Sequence, residues 1–389
     1  MRRFFFFSWV FLGLLGCTSG SKEADKGGGA ATGSWPERMQ SMARNLEELM
    51  PYVYSQKEFS DGANRKRVSQ LIENFERSVE LVPQHLGEKI LGSDPLIKYS
   101  ISRLKANTNS ARKAFEENHL EFSRNVLREN LGLCFSCHTT SQLGPQNAFS
   151  KKILDASFRI APTERADYYV ATRQFDRAID MLRGVLKSPG HLMDDPHEQV
   201  SALRKYLSLE VRVKKDPEAA TSLLEEFLSN KRLPYFIATD AEAWLKSLRE
   251  WSREKNHKNE SYKRALVVLN KAHGQQSSDG YQTAYVEFLR ASSLLHDGLR
   301  ETRDKAMQAE IYYNLGMSYE ALSEMGTWDL PEVYFETCVR VVAKTQLAKK
   351  CFKAYERTIV LGFSGSAGTF IPKEERERLA ELKALSGLE

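Results

Sequence analysis

Cys134-Phe135-Ser136-Cys137-His138 is the stretch that decides how this chain is read. Two cysteines separated by two residues and followed at once by histidine have the spacing at which a c-type haem is attached. The chemistry requires it. Each thiol adds across one vinyl group of the porphyrin, and the two vinyls sit on neighbouring pyrroles that a single turn of chain can span. The next residue then lies under the iron, where an imidazole nitrogen ligates it. The alternative is a zinc or redox Cys-x-x-Cys with an incidental histidine. Zinc asks for further ligands at short spacing, and the neighbouring sequence offers none. The expected cofactor is therefore one covalent haem c on Cys134 and Cys137, with His138 as the proximal ligand to iron.

Upstream of the motif the periodicity is helical and strand signals are nearly absent. Ser34-Trp35-Pro36-Glu37 reads as a capping box with proline in the first turn. Met39, Met42, Leu46, Leu49 and Val53 follow as one apolar stripe, and Pro51 predicts the end of that helix. A second helix is predicted over 64–82, with Val68, Leu71, Ile72, Phe75, Val79 and Val82 on one face. Asp94-Pro95 announces a third, carrying Ile97, Ile101, Leu104, Ala111 and Phe115. The fourth begins near His119 or Leu120, carries Val126, Leu127 and Leu131, and runs into the haem motif. Four amphipathic helices with short connections predict an antiparallel bundle.

A haem motif at the end of the fourth helix resembles the cytochrome c-prime family and its low-spin relatives. The resemblance covers roughly residues 35 to 140. It implies a haem inside one end of a four-helix bundle, a proximal histidine from the last helix and, where there is a sixth ligand, a methionine from the first. That methionine falls on Met39, with Met42 as second choice; the alternative is that both are core and the iron is five-coordinate. His119 lies about 28 Å from His138 along a straight helix, and His85 lies in a connection; both read as surface histidines. Met193 would suit the commoner small cytochrome c, but then the four preceding helices would have no part in the haem site.

Gly144-Pro145 closes this first domain, read as residues 35–148. From 160 to 389 the chain looks like helix pairs with self-similarity. Ala166, Tyr169, Phe175, Ala178 and Leu182 follow the spacing of a tetratricopeptide repeat. A second unit fits Glu198 to Asn230, with Asp216-Pro217 at its turn. Tyr313-Asn314-Leu315-Gly316 and Tyr319 recover the pattern near the end. The resemblance implies an α-solenoid that binds a protein partner on its concave face. The fold class expected is all-α: an N-terminal four-helix haem bundle followed by a tetratricopeptide-like solenoid.

At the other end, Met1-Arg2-Arg3 and the apolar run Phe4 to Gly16 read as a signal peptide, too short to span a membrane. Leu14-Leu15-Gly16-Cys17 resembles a bacterial lipoprotein box, which implies that Cys17 carries lipid. Residues 18–34 hold almost no large apolar side chain and read as a flexible tether. Of five cysteines, Cys338 and Cys351 remain. Near the ends of two helices joined by a short turn, and in an oxidising compartment, they predict a disulfide. The net charge of +5 comes without a basic run, so nothing argues for nucleic acid. No phosphate loop, His-Glu-x-x-His or nucleophile elbow is present, so no enzyme is expected.

These readings converge on a lipid-anchored periplasmic monohaem cytochrome that transfers electrons and docks a protein partner through its repeats, with the outer membrane favoured. The alternatives are a gas or redox sensor with an open sixth coordination site, and an envelope scaffold whose haem is mainly structural.

Overall fold

The computed structural model describes residues 34–82, 94–140, 152, 154, 160–188, 196–254, 260–276, 282–322 and 329–388. Residues 1–33, which include the stretch read as a signal peptide, Cys17 and most of the stretch read as a tether, lie outside them, as do His85, Gly144-Pro145 and Met193. About 82% of the described residues are helical, and the described strands are two of two residues each, so the protein is all-α.

Helix α1 (Trp35–Tyr54) opens as predicted: the Ser34 amide donates to the Glu37 carboxylate at 2.7 Å, and Pro36 occupies the first turn. It does not end at Pro51. Proline removes the amide that would bond the Glu47 carbonyl; the Lys152 ammonium bonds that carbonyl at 3.3 Å, and the helix continues to Tyr54. A short helix α2 (Gln56–Ser60) and a 3-10 turn (Gly62–Asn64) lead into α3 (Arg65–Glu80). Asp94 caps α4 (Pro95–Glu116) by accepting from the Leu96 amide at 3.0 Å. Asn118, at φ 66°, turns the chain, and α5 (Leu120–Thr140) carries the whole cysteine-histidine motif without a break.

Four of these helices alternate in direction. Asn45 of α1 donates to the Asn74 carbonyl of α3 at 3.2 Å, and Arg67 meets Glu48 at 2.8 Å. Glu76 of α3 bonds both Asn109 and Arg112 of α4. Ser123 of α5 donates to the Ala111 carbonyl at 2.7 Å, and Arg124 to the Val53 carbonyl at 3.1 Å. Between them lie the predicted stripes: Leu46, Leu49 and Val53 against Val68, Leu71, Ile72 and Phe75, with Ile97, Leu104, Leu127 and Leu131. Each such side chain, buried, is worth about 1.5–3 kcal/mol. By this order, the end of α5 and the start of α1 lie at the same end of the helix group.

The rest of the chain continues as helices: α6 (Pro162–Ala171), α7 (Phe175–Leu186), α8 (Pro196–Ser208) with a wide turn (Leu209–Lys214), α9 (Pro217–Leu228), α10 (Tyr235–Ser252), α11 (Ser261–Gln275), α12 (Tyr285–Glu301), α13 (Lys305–Ala321), α14 (Leu330–Val341), α15 (Gln346–Gly362) and α16 (Lys373–Ser386). Most neighbours in sequence pack on each other. Ala166, Ala178 and Leu182 are fully buried between α6 and α7. Asp216 caps α9 through the Glu218 and Ala219 amides. At Gly316 of α13 an added Cβ would stand 2.4 Å from the Phe335 ring of α14, so only glycine permits that approach. Cys338 and Cys351 are disulfide-bonded, with Cα atoms 6.1 Å apart, and join α14 to α15.

The helices before residue 148 and those after 160 interlock. Tyr54 donates to the Glu164 carbonyl at 3.1 Å, Arg128 pairs with the Glu164 carboxylate, and Tyr99 bonds Asp329. Residues 34–389 thus cluster as one compact unit.

Candidate functional site

The last turns of α5 carry Cys134, Cys137 and His138. At 3.6 residues per turn these positions fall within about 100° of arc, on one face. It is the face that, nearer the start of α5, buries Leu127 and Asn130; Asn130 bonds the Thr108 hydroxyl at 3.3 Å. Both cysteines are half-buried and pack against the apolar core. The motif is therefore built on a rigid helix and turned inward, the placement a covalently held planar group needs.

His138 is fixed by the C-terminus of α6. Its Nδ1 lies 2.9 Å from the Val170 carbonyl oxygen. A carbonyl only accepts, so Nδ1 carries the proton and Nε2 keeps its lone pair. The same carbonyl accepts from the Arg173 amide at 2.9 Å. Arg173 sits at φ 58°, a left-handed conformation that brings the chain back sharply after α6, and it is buried. Its guanidinium lies over the Phe175 ring, 5.1 Å from the centroid.

The electrostatics follow from burial. Desolvation, helped by the neighbouring Cys137 and by Asp167, pushes the Cys134 thiol up to about 12. Cys137 is likewise pushed up to about 12 by burial and by Asp94, with Arg173 opposing. His138 is held down at about 4 by burial and the Arg173 charge, against the pull of the Val170 bond. At neutral pH the site thus offers two neutral thiols and a neutral imidazole. An imidazole whose Nδ1–H is tied to backbone and whose Nε2 is unprotonated is in the state that ligates iron. The residues present fit a covalent haem c by their spacing, by their common face and by this tautomer. For a bare ion the fit is poor: among the described residues no group of three or more His, Cys, Asp and Glu side chains is arranged to hold one.

Met39 and Met42 lie in the first turns of α1, at the same end of the helix group as His138. Met42 is buried, and Met39 is half-buried against the same core. His119 is exposed at the opposite end of α5.

Two features have no counterpart in the sequence reading. The first is a buried polar cluster close to Cys137. Asp94, besides capping α4, meets His296 Nδ1 at 2.5 Å and accepts from the Tyr334 hydroxyl at 3.0 Å; His296 Nε2 lies 2.9 Å from the Tyr319 hydroxyl. Burial alone would raise the Asp94 carboxyl, but the His296 charge and the hydrogen bonds outweigh it and hold it below the ordinary range. Arg212 completes the cluster, 5.4 Å from the Tyr319 centroid and bonded to Ser292 at 2.7 Å. A lone histidine in an apolar helix and an Asp-Pro helix start were the visible signals, and neither names its partner. The second is a cavity of about 1100 Å³ on the flank of α5, lined by Tyr99, Leu131, Phe135, Arg204, Trp244 and Tyr285 among others. Phe135, from inside the motif, forms part of its wall, and the Lys205 ammonium stands 5.8 Å from that ring's centroid.

No protein-family model, no curated protein and no solved structure matches the chain.

Proposed function

We propose that this chain is a monohaem c-type cytochrome that carries electrons at the periplasmic face of a bacterial membrane, held there by lipid on Cys17. Cys134 and Cys137 form thioethers to the haem and His138 Nε2 ligates its iron. Met39 is the sixth ligand, with Met42 the second choice. The helices over 35–148 act as a c-prime-like four-helix bundle, and those over 160–389 as a tetratricopeptide-like solenoid for a protein partner. When bound, the haem supplies a one-electron couple at iron. The chain's own residues orient the ligand: the Val170 carbonyl sets the His138 tautomer, and Arg173 places a buried positive charge beside it. No general acid-base pair is assigned, so the reading is a carrier and not an enzyme.

One observation carries the proposal: the imidazole of a Cys-x-x-Cys-His motif has its Nδ1 tied to a backbone carbonyl, and the three residues of the motif share one helix face. The test is an optical spectrum of the purified protein, oxidised, reduced, and reduced under carbon monoxide. A six-coordinate low-spin haem indifferent to the gas supports methionine ligation and electron transfer, and Met39→Ala should then abolish the low-spin form. Gas binding by the unaltered protein would move the assignment to a five-coordinate sensor. An intact low-spin spectrum in Met39→Ala would move the sixth ligand to Met42.

A further inference from the structure

The haem reading leaves the cavity of about 1100 Å³ unused. On α5 it is walled by Asn125, Arg128 and Gly132 among others, which at 3.6 residues per turn lie roughly opposite Cys134, Cys137 and His138. Its size is that of the larger small-molecule sites, which run to about 1,000 Å³.

Its charges are already balanced. Four cations and five carboxylates line it. Arg128 pairs with Glu164, Lys205 with Asp167 at 2.7 Å, and Arg103 with Asp329 at 3.7 Å. Arg204 and the buried Asp240 attract each other. The remaining acid, Glu129, is exposed to water. An ionic ligand would therefore meet repulsion as well as attraction, and a long hydrocarbon would be laid against charges.

The polar groups left available are neutral. Asn107 of α4, Asn125 of α5 and Ser201 of α8 line the cavity, and their side chains have no hydrogen-bond partner among the described residues. Each of them can both donate and accept. Two accessible rings stand in the same wall: Phe236, in the first turn of α10 and 48% exposed, and Tyr99 of α4, half-buried and fixed by its bond to Asp329.

We infer that this cavity binds a neutral sugar, an oligosaccharide of a few residues, with Asn107, Asn125 and Ser201 bonding its hydroxyls and Phe236 and Tyr99 packing on the C–H face of a ring. A sugar hydroxyl donates and accepts at once, as the free amides and the serine do, and its ring offers apolar C–H groups to an aromatic face. An extended peptide carries its amides along one line, whereas the three free groups stand on three helices around one cavity. The inference goes beyond the haem reading and does not depend on it.

The test is calorimetric titration of the full, haem-loaded chain with a panel of neutral mono- to tetrasaccharides built from hexoses and N-acetylhexosamines. At least one should bind saturably, with a dissociation constant below about 1 mM. It should bind more tightly than its amino or phosphorylated counterpart, and more tightly than an acetylated, amidated tetra-alanine. Asn107→Ala, Asn125→Ala and Phe236→Ala should each weaken that binding about three- to tenfold with the circular dichroism unchanged, whereas Ser229→Ala should leave it as it is. A panel without a saturable binder, a binder indifferent to all three substitutions, or tighter binding of the charged sugar or of the peptide overturns the inference.

Discussion

Arg173 shows how much of the candidate site is set by single residues far from the motif in sequence. Its amide shares the Val170 carbonyl with His138, and its guanidinium is buried close enough to depress the imidazole. A positive charge beside an iron centre favours the form with one more electron. Arg173→Gln should therefore lower the midpoint potential in a redox titration, and Arg173→Lys should lie between the two; an unchanged potential would detach Arg173 from the site. Asp94 is the second such residue. Its folded carboxyl titrates below the ordinary value, so the stability it contributes is fully present above about pH 4 and is lost as pH falls through the folded value. Asp94→Asn should cost about 2–4 kcal/mol at neutral pH, because His296 and Tyr334 lose a charged partner in a buried setting. In urea melts the gap between wild type and variant should narrow as the solution is taken below pH 4; a gap independent of pH would contradict the assignment.

At the level of elements, Gly316 fixes how closely α13 and α14 approach. A methyl there meets the Phe335 ring at 2.4 Å, so Gly316→Ala should destabilise by about 1–3 kcal/mol. Gly184, in α7, has nothing within 4 Å of such a methyl, and Gly184→Ala should be neutral or stabilise by about 0.5–1 kcal/mol through helix propensity. Chemical denaturation of the two variants side by side checks both signs. Local signals made these helices readable in advance. Ser34 with Glu37, and Asp94 before Pro95, start α1 and α4 where caps predict, and the Cys338–Cys351 bond joins adjacent helices as expected. Pro51 misled because the carbonyl it frees, Glu47's, meets Lys152, about a hundred positions on, which no window around the proline contains. The Asp94–His296 pair was invisible for the same reason: 202 positions separate its members. The five-residue motif was legible because its chemistry is contiguous, whereas the carbonyl that orients His138 belongs to another helix.

Across the whole molecule, the helices on either side of residues 148–160 are tied by Arg128 to Glu164, Tyr99 to Asp329, and Asp94 to His296 and Tyr334. These links sit at the start of α4 and midway along α5, so neither segment exposes its contacts without disturbing the other. Urea should therefore unfold the protein with haem absorbance and helix circular dichroism changing together; two separated transitions would show that the segments behave independently.

The central claim is that Cys134 and Cys137 hold a haem covalently, and the intact mass of the exported protein tests it most directly. Produced in a bacterium that attaches haem to exported chains, the protein should exceed its processed polypeptide mass by one haem, which survives denaturation and is lost from Cys134→Ala with Cys137→Ala. A wild-type mass equal to that of the processed polypeptide alone, or a haem that extracts into acidified organic solvent, would contradict it.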